Sequence, residues 1–117
     1  GASSVLAADR HAEAARLSTS MQQAFGAVVT GKPGRLNPPV DDIDTVLDAR
    51  QQAAVRGRLT YAAIGGRDTV RARLEEFIAL TGVDEVMTTG MIHDLEARVR
   101  SHEITAEAVA GLRAEAA

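Results

Sequence analysis

The fold is decided first by residues 3–17, SSVLAADRHAEAARL, in which a short apolar run precedes a helical pattern. The run from Ser3 to Ala8 has the length of a buried strand, and the carboxylate of Asp9 is suited to cap a helix that starts there. Apolar residues then recur at the spacings of one helix face. These are Leu17, Met21, Ala24, Phe25 and Val28. The stretch therefore predicts a strand followed by a helix that ends near Gly31.

A proline-rich connector follows at residues 31–42. Its first part, GKPGRLNPPV, contains three Pro and two Gly. Because proline fixes φ and lacks an N–H donor, this composition predicts an extended loop. Asp41 and Asp42 then suit the start of a second helix. The apolar positions of that helix are Ile43, Val46, Leu47 and Ala54, and Gly57 is its predicted end.

The second half of the chain repeats the alternation of strand and helix. Residues 59–64, LTYAAI, are either a short strand or the tail of the preceding helix. A third amphipathic helix follows Gly65 and is expected to end at Gly82. Residues 85–89 predict another strand. A last helix is expected from about Asp94 towards Glu115, and its predicted inward face is Leu95, Val99, His102, Ala106 and Val109.

This alternation predicts an α/β fold with two or three parallel strands, because βα units place their strands in parallel. The 117 residues correspond to one small domain. Only 3% of them are aromatic, and many of the apolar ones are alanine, so a self-sufficient core would be thin. The first residue is not Met, which together with the thin core leads us to expect a part of a longer product.

Composition also excludes several classes of function. The net charge is −3 with interspersed signs, whereas nucleic-acid-binding proteins carry a basic patch. There is no cysteine, and the three histidines lack metal-ligand spacing, so we expect neither disulfides nor a metal site. No apolar run approaches the roughly 18 residues of a membrane span. We therefore expect a cytoplasmic protein that binds neither nucleic acid nor membrane.

From Ile64 onward the chain resembles the C-terminal end of the luciferase-like monooxygenases, the bacterial luciferase superfamily. The stretch reads IGGRDTVRARLEEFIALTGVDEVMTTGMIHDLEARVRSHEITAEAV. Positions that match the family's three closing segments are Gly65, Val70 and Leu74, then Gly82, Asp84, Glu85 and Met87, and then His93, Asp94, Arg98, Ser101 and Glu103. The N-terminal strand and helix and the connector also fit, so the resemblance covers the whole chain. The departure is at Gly66, Arg67 and Asp68, where the family has Ser or Thr, Pro and Glu.

The resemblance implies that residues 1–117 are a single C-terminal segment of a (β/α)₈ TIM barrel, a fold that takes about 250 residues. Members of the family oxidise a small organic substrate with reduced flavin and O₂. The implied cofactor is FMN, with a deazaflavin as the alternative. The usual catalytic histidine and much of the flavin pocket belong to earlier segments of the barrel. We therefore expect the isolated segment to be inactive, and no catalytic residue is assigned to it.

Two groups of residues are candidates for binding the cofactor. Thr88, Thr89 and Gly90 lie at the carboxyl end of a predicted strand, where barrels build their active sites, and His93 follows them. Gly66 and Arg67 precede a helix, whose free N–H groups and positive dipole end favour a phosphate. The alternatives are that threonine is simply a good strand residue and that Gly66 begins an ordinary helix.

A different class of function also fits the sequence. A thin α/β unit with open strand edges and an uncovered helix face is suited to self-association. We therefore expect a homo-oligomer, and the alternative to an enzyme segment is a non-catalytic α/β module that pairs with its own copies.

Overall fold

A computed structural model describes residues 2–32, 34–60, 62–81, 87–89 and 91–116. Strands and helices alternate along these residues, which confirms the α/β class. The elements are β1 (Ala2–Ala7), α1 (His11–Val29), α2 (Ala49–Leu59), β2 (Ala63–Gly65), α3 (Arg67–Thr81), β3 (Met87–Thr89) and α4 (Leu95–Ala116). A single 3₁₀ turn, Ile43–Thr45, precedes α2.

The strands form a parallel sheet in which β1 is central. Its carboxyl half pairs with β2, with Val5 opposite Ala63, and its amino half pairs with β3, with Ala2 opposite Met87. The parallel strands are as predicted. In a (β/α)₈ barrel the strands follow one another around the sheet. The order β2-β1-β3 of the described strands is not sequential, and the barrel stays a prediction for a longer protein.

Helices cover both faces of this sheet. Since alternate residues of a strand point to opposite sides, successive residues of β1 enter two different cores. Val5 and Ala7 belong to a core with α3 and α4, which also contains Ala63, Val70, Leu74, Ile104 and Ala108. Leu6 and Ala8 belong to a core with α1, which also contains Ala14, Leu17 and Ile92. Burial on both faces is what a parallel sheet requires.

Helix α1 buries most of its predicted face. Leu17, Met21 and Phe25 are buried, and the last two form a cluster with Leu47 and Val55 that joins α1 to α2. Val28, in the last turn of α1, is 50% exposed and departs from the prediction.

The opposite flank of α1 buries polar residues because they bind the connector. Thr19 Oγ1 accepts a hydrogen bond from the Val40 amide at 2.9 Å. Gln23 Nε2 donates to the Pro38 carbonyl oxygen at 3.1 Å. Residues 38–40 are therefore fastened along α1, which explains why a long proline-rich segment packs on this fold.

The predicted bounds of the second helix are wrong at both ends. Asp42 caps only the 3₁₀ turn, by accepting a hydrogen bond from the Asp44 amide. Helix α2 begins after Asp48, whose carboxylate accepts from the Gln51 amide while the Gln51 side chain accepts from the Asp48 amide. This reciprocal capping box is a stronger start signal than a pair of acids alone. The helix also continues through Gly57 to Leu59, because an interior glycine costs only about 1 kcal/mol.

The predicted inward face of α4 is also wrong. Leu95, Val99, His102 and Ala106 are exposed, and only Val109 is partly buried. The buried positions are Ser101, Ile104, Thr105 and Ala108. The Ser101 hydroxyl accepts a hydrogen bond from the Ala7 amide of β1 at 2.9 Å. Helix α4 thus docks through a polar contact, which the apolar periodicity could not indicate. Gly82 and the start of the predicted strand at Glu85 lie outside the described residues.

Candidate functional site

A cleft of about 390 Å³ lies at the carboxyl ends of β1 and β2. Ligands of open α/β sheets bind at this end of the strands. The walls come from the segment after β1, the start of α1, the first turn of α3 and the middle of α4. The lining residues are Ala8, Asp9, His11, Gly66, Arg67, Asp68, Thr69, Arg100, Ile104 and Glu107.

Two glycines shape the end of β2 beside the cleft. Gly65 has a φ of +153°, and a Cβ there would lie 2.8 Å from Thr69 Cγ2 and 3.0 Å from His11 Nδ1. Its missing side chain therefore lets His11 and Thr69 approach the end of β2. At Gly66 a Cβ would meet the Ala8 carbonyl oxygen at 3.8 Å, an ordinary contact. The backbone of Gly66 is thus open to the cleft.

The first turn of α3 forms one wall. The Gly66 carbonyl accepts the first intrahelical hydrogen bond, from the Val70 amide at 2.9 Å. The N–H groups of Arg67, Asp68 and Thr69 precede that donor and have no carbonyl partner within the helix. They carry the positive end of the helix dipole. Since glycine has no side chain with which to cap them, this wall is suited to an anion.

The two arginines of the cleft differ in their attachment. The Arg67 guanidinium lies 3.7 Å from the carboxylates of Asp68 and Glu107, and its side chain is 61% exposed. Pairs this long and exposed are weak, so Arg67 is able to turn towards a ligand. Arg100 instead holds Asp9 through Nη2 at 2.7 Å and through Nε at 3.1 and 3.2 Å.

The Asp9–Arg100 pair joins α4 to the end of β1. Hydrogen bonding from the Arg100 guanidinium holds the pKa of the Asp9 carboxyl below its usual value, and the same contact raises the pKa of Arg100. The prediction that Asp9 caps α1 is therefore wrong. Arg10 occupies the N-cap and makes no side-chain cap bond, since a guanidinium has no acceptor, and the Asp9 carboxylate binds Arg100 of α4.

The structure brings one of the two predicted groups to the cleft. Gly66 and Arg67 line it together with Asp9, His11 and Arg100, none of which was predicted as a cofactor-binding residue. Asp9 and Gly66 follow neighbouring parallel strands, a signal that could have paired them. Arg100 had no such signal, since it is 91 residues away from Asp9.

The structure does not place the other predicted group at the cleft. His93 is exposed and is not among the residues that line the cleft. Thr88 and Thr89 end β3, but their side chains, like Gly90, lie outside what the structure describes. These four residues stay predictions.

Other kinds of site were sought over the same parts of the chain. Within 2–32, 34–60, 62–81, 87–89 and 91–116, no three His, Asp or Glu side chains come together as metal ligands would. Among the helices in these ranges, none has the length and apolar character needed to cross a membrane.

Known proteins show what this chain is similar to. No protein-family model matches it. It is 37% identical over 103 residues to YvbT, an uncharacterised protein of Bacillus subtilis strain 168, and 36% identical over 100 residues to a luciferase-like monooxygenase of Escherichia coli K12. The chain is related to the luciferase-like monooxygenases. These matches cover 88% and 86% of this chain but only 31% and 30% of the two relatives.

The relationship confirms the family resemblance, and its extent fits the expected C-terminal segment. The chain spans about a third of the length of these two relatives. The fold has a solved counterpart as well. This counterpart is the crystal structure of apo-MsnO8. The match covers 92% of this chain and 33% of that one, with a TM-score of 0.69 at 24% identity.

Proposed function

We propose that this chain is part of a flavin-dependent luciferase-like monooxygenase, which oxidises a small organic substrate with reduced flavin and O₂. The observation that carries the proposal is the cleft, in which Gly66 and Arg67 meet at the carboxyl ends of two parallel strands. The relatives include a luciferase-like monooxygenase, an oxidoreductase by its name. FMN is the proposed cofactor, and a deazaflavin is the alternative.

The residues of the cleft fit one end of such a cofactor. Its volume of about 390 Å³ is near the lower limit of small-molecule pockets. An open glycine backbone, a helix N-terminus and the Arg67 guanidinium suit a phosphate group. Only Ala8 and Ile104 are apolar among the lining residues. We therefore propose that Gly66 and Arg67 hold the phosphate and that segments outside this chain hold the flavin ring.

The flavin, when bound, supplies the electrons that activate O₂. The chain's own contribution is to bind and orient the phosphate end, with Arg67 as the mobile cation and the Asp9–Arg100 pair fixing α4 as the far wall. Thr88, Thr89, Gly90 and His93 are proposed to contact the cofactor from the end of β3. The isolated chain is proposed to be inactive, and the intact protein to be a cytoplasmic homo-oligomer.

A chimera tests this proposal. This chain replaces the matched 31% of YvbT, and FMN binding is followed by quenching of flavin fluorescence. We expect stoichiometric FMN binding by the chimera. Arg67→Gln should weaken FMN binding roughly tenfold or more, because it removes a charge-assisted hydrogen bond.

The matched control is Arg98→Gln, an exposed arginine of α4 outside the cleft, which should leave FMN binding unchanged. A folded chimera that binds no flavin would contradict the proposal. Turnover by the isolated 117-residue chain would contradict the claim that it is inactive.

The second candidate function is a non-catalytic, self-associating α/β module. The exposed side chains of Leu95 and Val99 on α4 favour it, as do the two edge strands of the described sheet, β2 and β3. Sedimentation velocity of the 117-residue chain measures whether it self-associates. A stable dimer supports this candidate, and a monomer at all concentrations contradicts it.

A further inference from the structure

The cleft contains a histidine that the proposed function does not use. His11 is the first residue of α1 and lines the cleft together with the first turn of α3. Its imidazole makes no hydrogen bond or ion pair with the residues that the structure describes. The same holds for the hydroxyl group of Thr69, which lies in the first turn of α3. Two polar side chains therefore reach the cleft without a partner among the described residues.

The end of β2 brings these two side chains together. A Cβ at Gly65 would lie 3.0 Å from His11 Nδ1 and 2.9 Å from Thr69 Cβ, so both side chains occupy space that another residue type would fill. The Gly65 φ of +153° is also one that residues with a side chain rarely adopt. This strand end is therefore shaped to hold an imidazole beside the free N–H groups of α3.

The charges around His11 make its own charge decisive. Three carboxylates and two guanidiniums line the cleft: Asp9, Asp68 and Glu107, with Arg67 and Arg100. Near His11 in the chain, Arg10 and Glu13 carry opposite charges. Acids therefore outnumber fixed cations by one along the lining, although the N–H groups of α3 are suited to an anion. A proton on His11 would remove this excess of negative charge.

We propose that His11 is a ligand-binding residue of the cleft and that it takes up a proton from solvent when an anionic group binds there. The imidazolium donates one hydrogen bond to the anion and the Thr69 hydroxyl donates another. This rests on the proposed function, because the anion is the phosphate assigned to the cleft. Histidine ordinarily changes charge between about pH 5 and 8, so binding should tighten as the pH falls through this range.

Sulfate is the probe, because it has the tetrahedral shape of a phosphate group and keeps its charge over the range in which histidine titrates. The 117-residue chain is titrated with sulfate at about pH 8 and about pH 5.5, and NMR follows the His11 ring and the amides of the first turn of α3. Carboxyl groups ionise near about pH 4 and guanidiniums stay charged, so they do not change between these conditions. We expect sulfate to bind about tenfold or more tightly at the lower pH, as for a hydrogen bond that becomes charge-assisted.

Three variants separate the contacts. His11→Gln should remove the pH dependence, because the amide donates a hydrogen bond but gains no charge. Thr69→Val should weaken sulfate binding about threefold at both pH values, because it removes one neutral hydrogen bond. His102→Gln is the control, since His102 is exposed on α4 outside the cleft, and it should change neither affinity. All these positions are exposed, so the Tm of each variant should stay within about 2 °C of the parent.

The outcomes separate the role of His11 from the flavin function. A pH dependence that His11→Gln retains, or an absence of sulfate binding at about pH 5.5, overturns the role of His11. If the 117-residue chain does not fold alone, the same titration on the YvbT chimera decides. A chimera that binds FMN, with a pH dependence that His11→Gln leaves unchanged, overturns the role of His11 alone. Sulfate binding that depends on His11, in a chimera that binds no FMN, supports this role and overturns the proposed function alone.

Discussion

Helices α1 and α4 present the same kind of apolar periodicity, but only one of them buries it. In α1 the predicted positions Leu17, Met21 and Phe25 are in the core. In α4 the predicted positions Leu95 and Val99 face solvent. Periodicity identifies the apolar side of a helix. It does not establish that the partner for that side is part of the same chain.

The attachment of α4 explains the difference. Ser101 accepts the Ala7 amide hydrogen bond, and Arg100 holds Asp9, so two polar contacts orient the helix. With Ser101 turned to the sheet, Ile104 and Ala108 follow it into the core at the spacings of one face. The side of α4 that carries Leu95 and Val99 therefore faces solvent.

The largest expected effect on stability comes from truncating a fully buried side chain of either helix. Met21→Ala in α1 and Ile104→Ala in α4 should each lower the free energy of unfolding by about 2–5 kcal/mol, because both side chains are fully buried. Leu95→Ala should change it by less than about 0.5 kcal/mol. Urea denaturation of the isolated chain measures all three. A cost at Leu95 equal to that at Ile104 would contradict the exposure of Leu95.

The next effect concerns the polar attachment of α4. Ser101→Ala leaves the Ala7 N–H without its partner inside the core, which should cost about 1–3 kcal/mol. Ser101→Thr retains a hydroxyl and should cost less. Hydrogen exchange of the Ala7 amide should be faster in Ser101→Ala. An unchanged exchange rate would mean that another group accepts a hydrogen bond from the Ala7 amide.

A smaller effect is expected where α1 holds the connector. Gln23→Ala removes the hydrogen bond to the Pro38 carbonyl and should cost about 1 kcal/mol. Gln22→Ala is the control, because the Gln22 side-chain amide donates to the Ser18 hydroxyl of the same helix. Limited proteolysis at residues 34–40 should be faster in Gln23→Ala than in the control. Equal rates would contradict a role for Gln23 in holding the connector.

The smallest effect is expected at the exposed Asp9–Arg100 pair. The pKa of Asp9 is lower in the folded than in the unfolded chain, so the pair stabilises the fold above about pH 4 and loses this contribution as the pH falls through the lowered value. Asp9→Asn should therefore be slightly less stable than the parent at pH 7, and the gap should close at acidic pH. Urea denaturation of both proteins at pH 7 and at acidic pH tests this. A stability difference between them that widens in acid would contradict it.

Local patterns predicted much of the fold and part of the site. The strand at 3–8 and the helix that follows it were recognisable because their signals are local. The start of α4 near Asp94, whose carboxylate accepts from the Ala97 amide, was recognisable for the same reason. Gly66 and Arg67 were recognisable as the start of a helix. Asp9, His11 and Arg100 were missed because their meeting depends on how β1, α3 and α4 pack together.

The sequence by itself determined the alternation of strands and helices, the parallel sheet and the family relationship, because these depend on residue order and periodicity. The tertiary structure alone decided the strand order β2-β1-β3, the side of α4 that is buried, and the pairing of Asp9 with Arg100. Each of these depends on contacts between residues far apart in the chain, such as the 94-residue separation of Ala7 and Ser101. Local propensity does not encode such contacts, since they form only when whole elements pack.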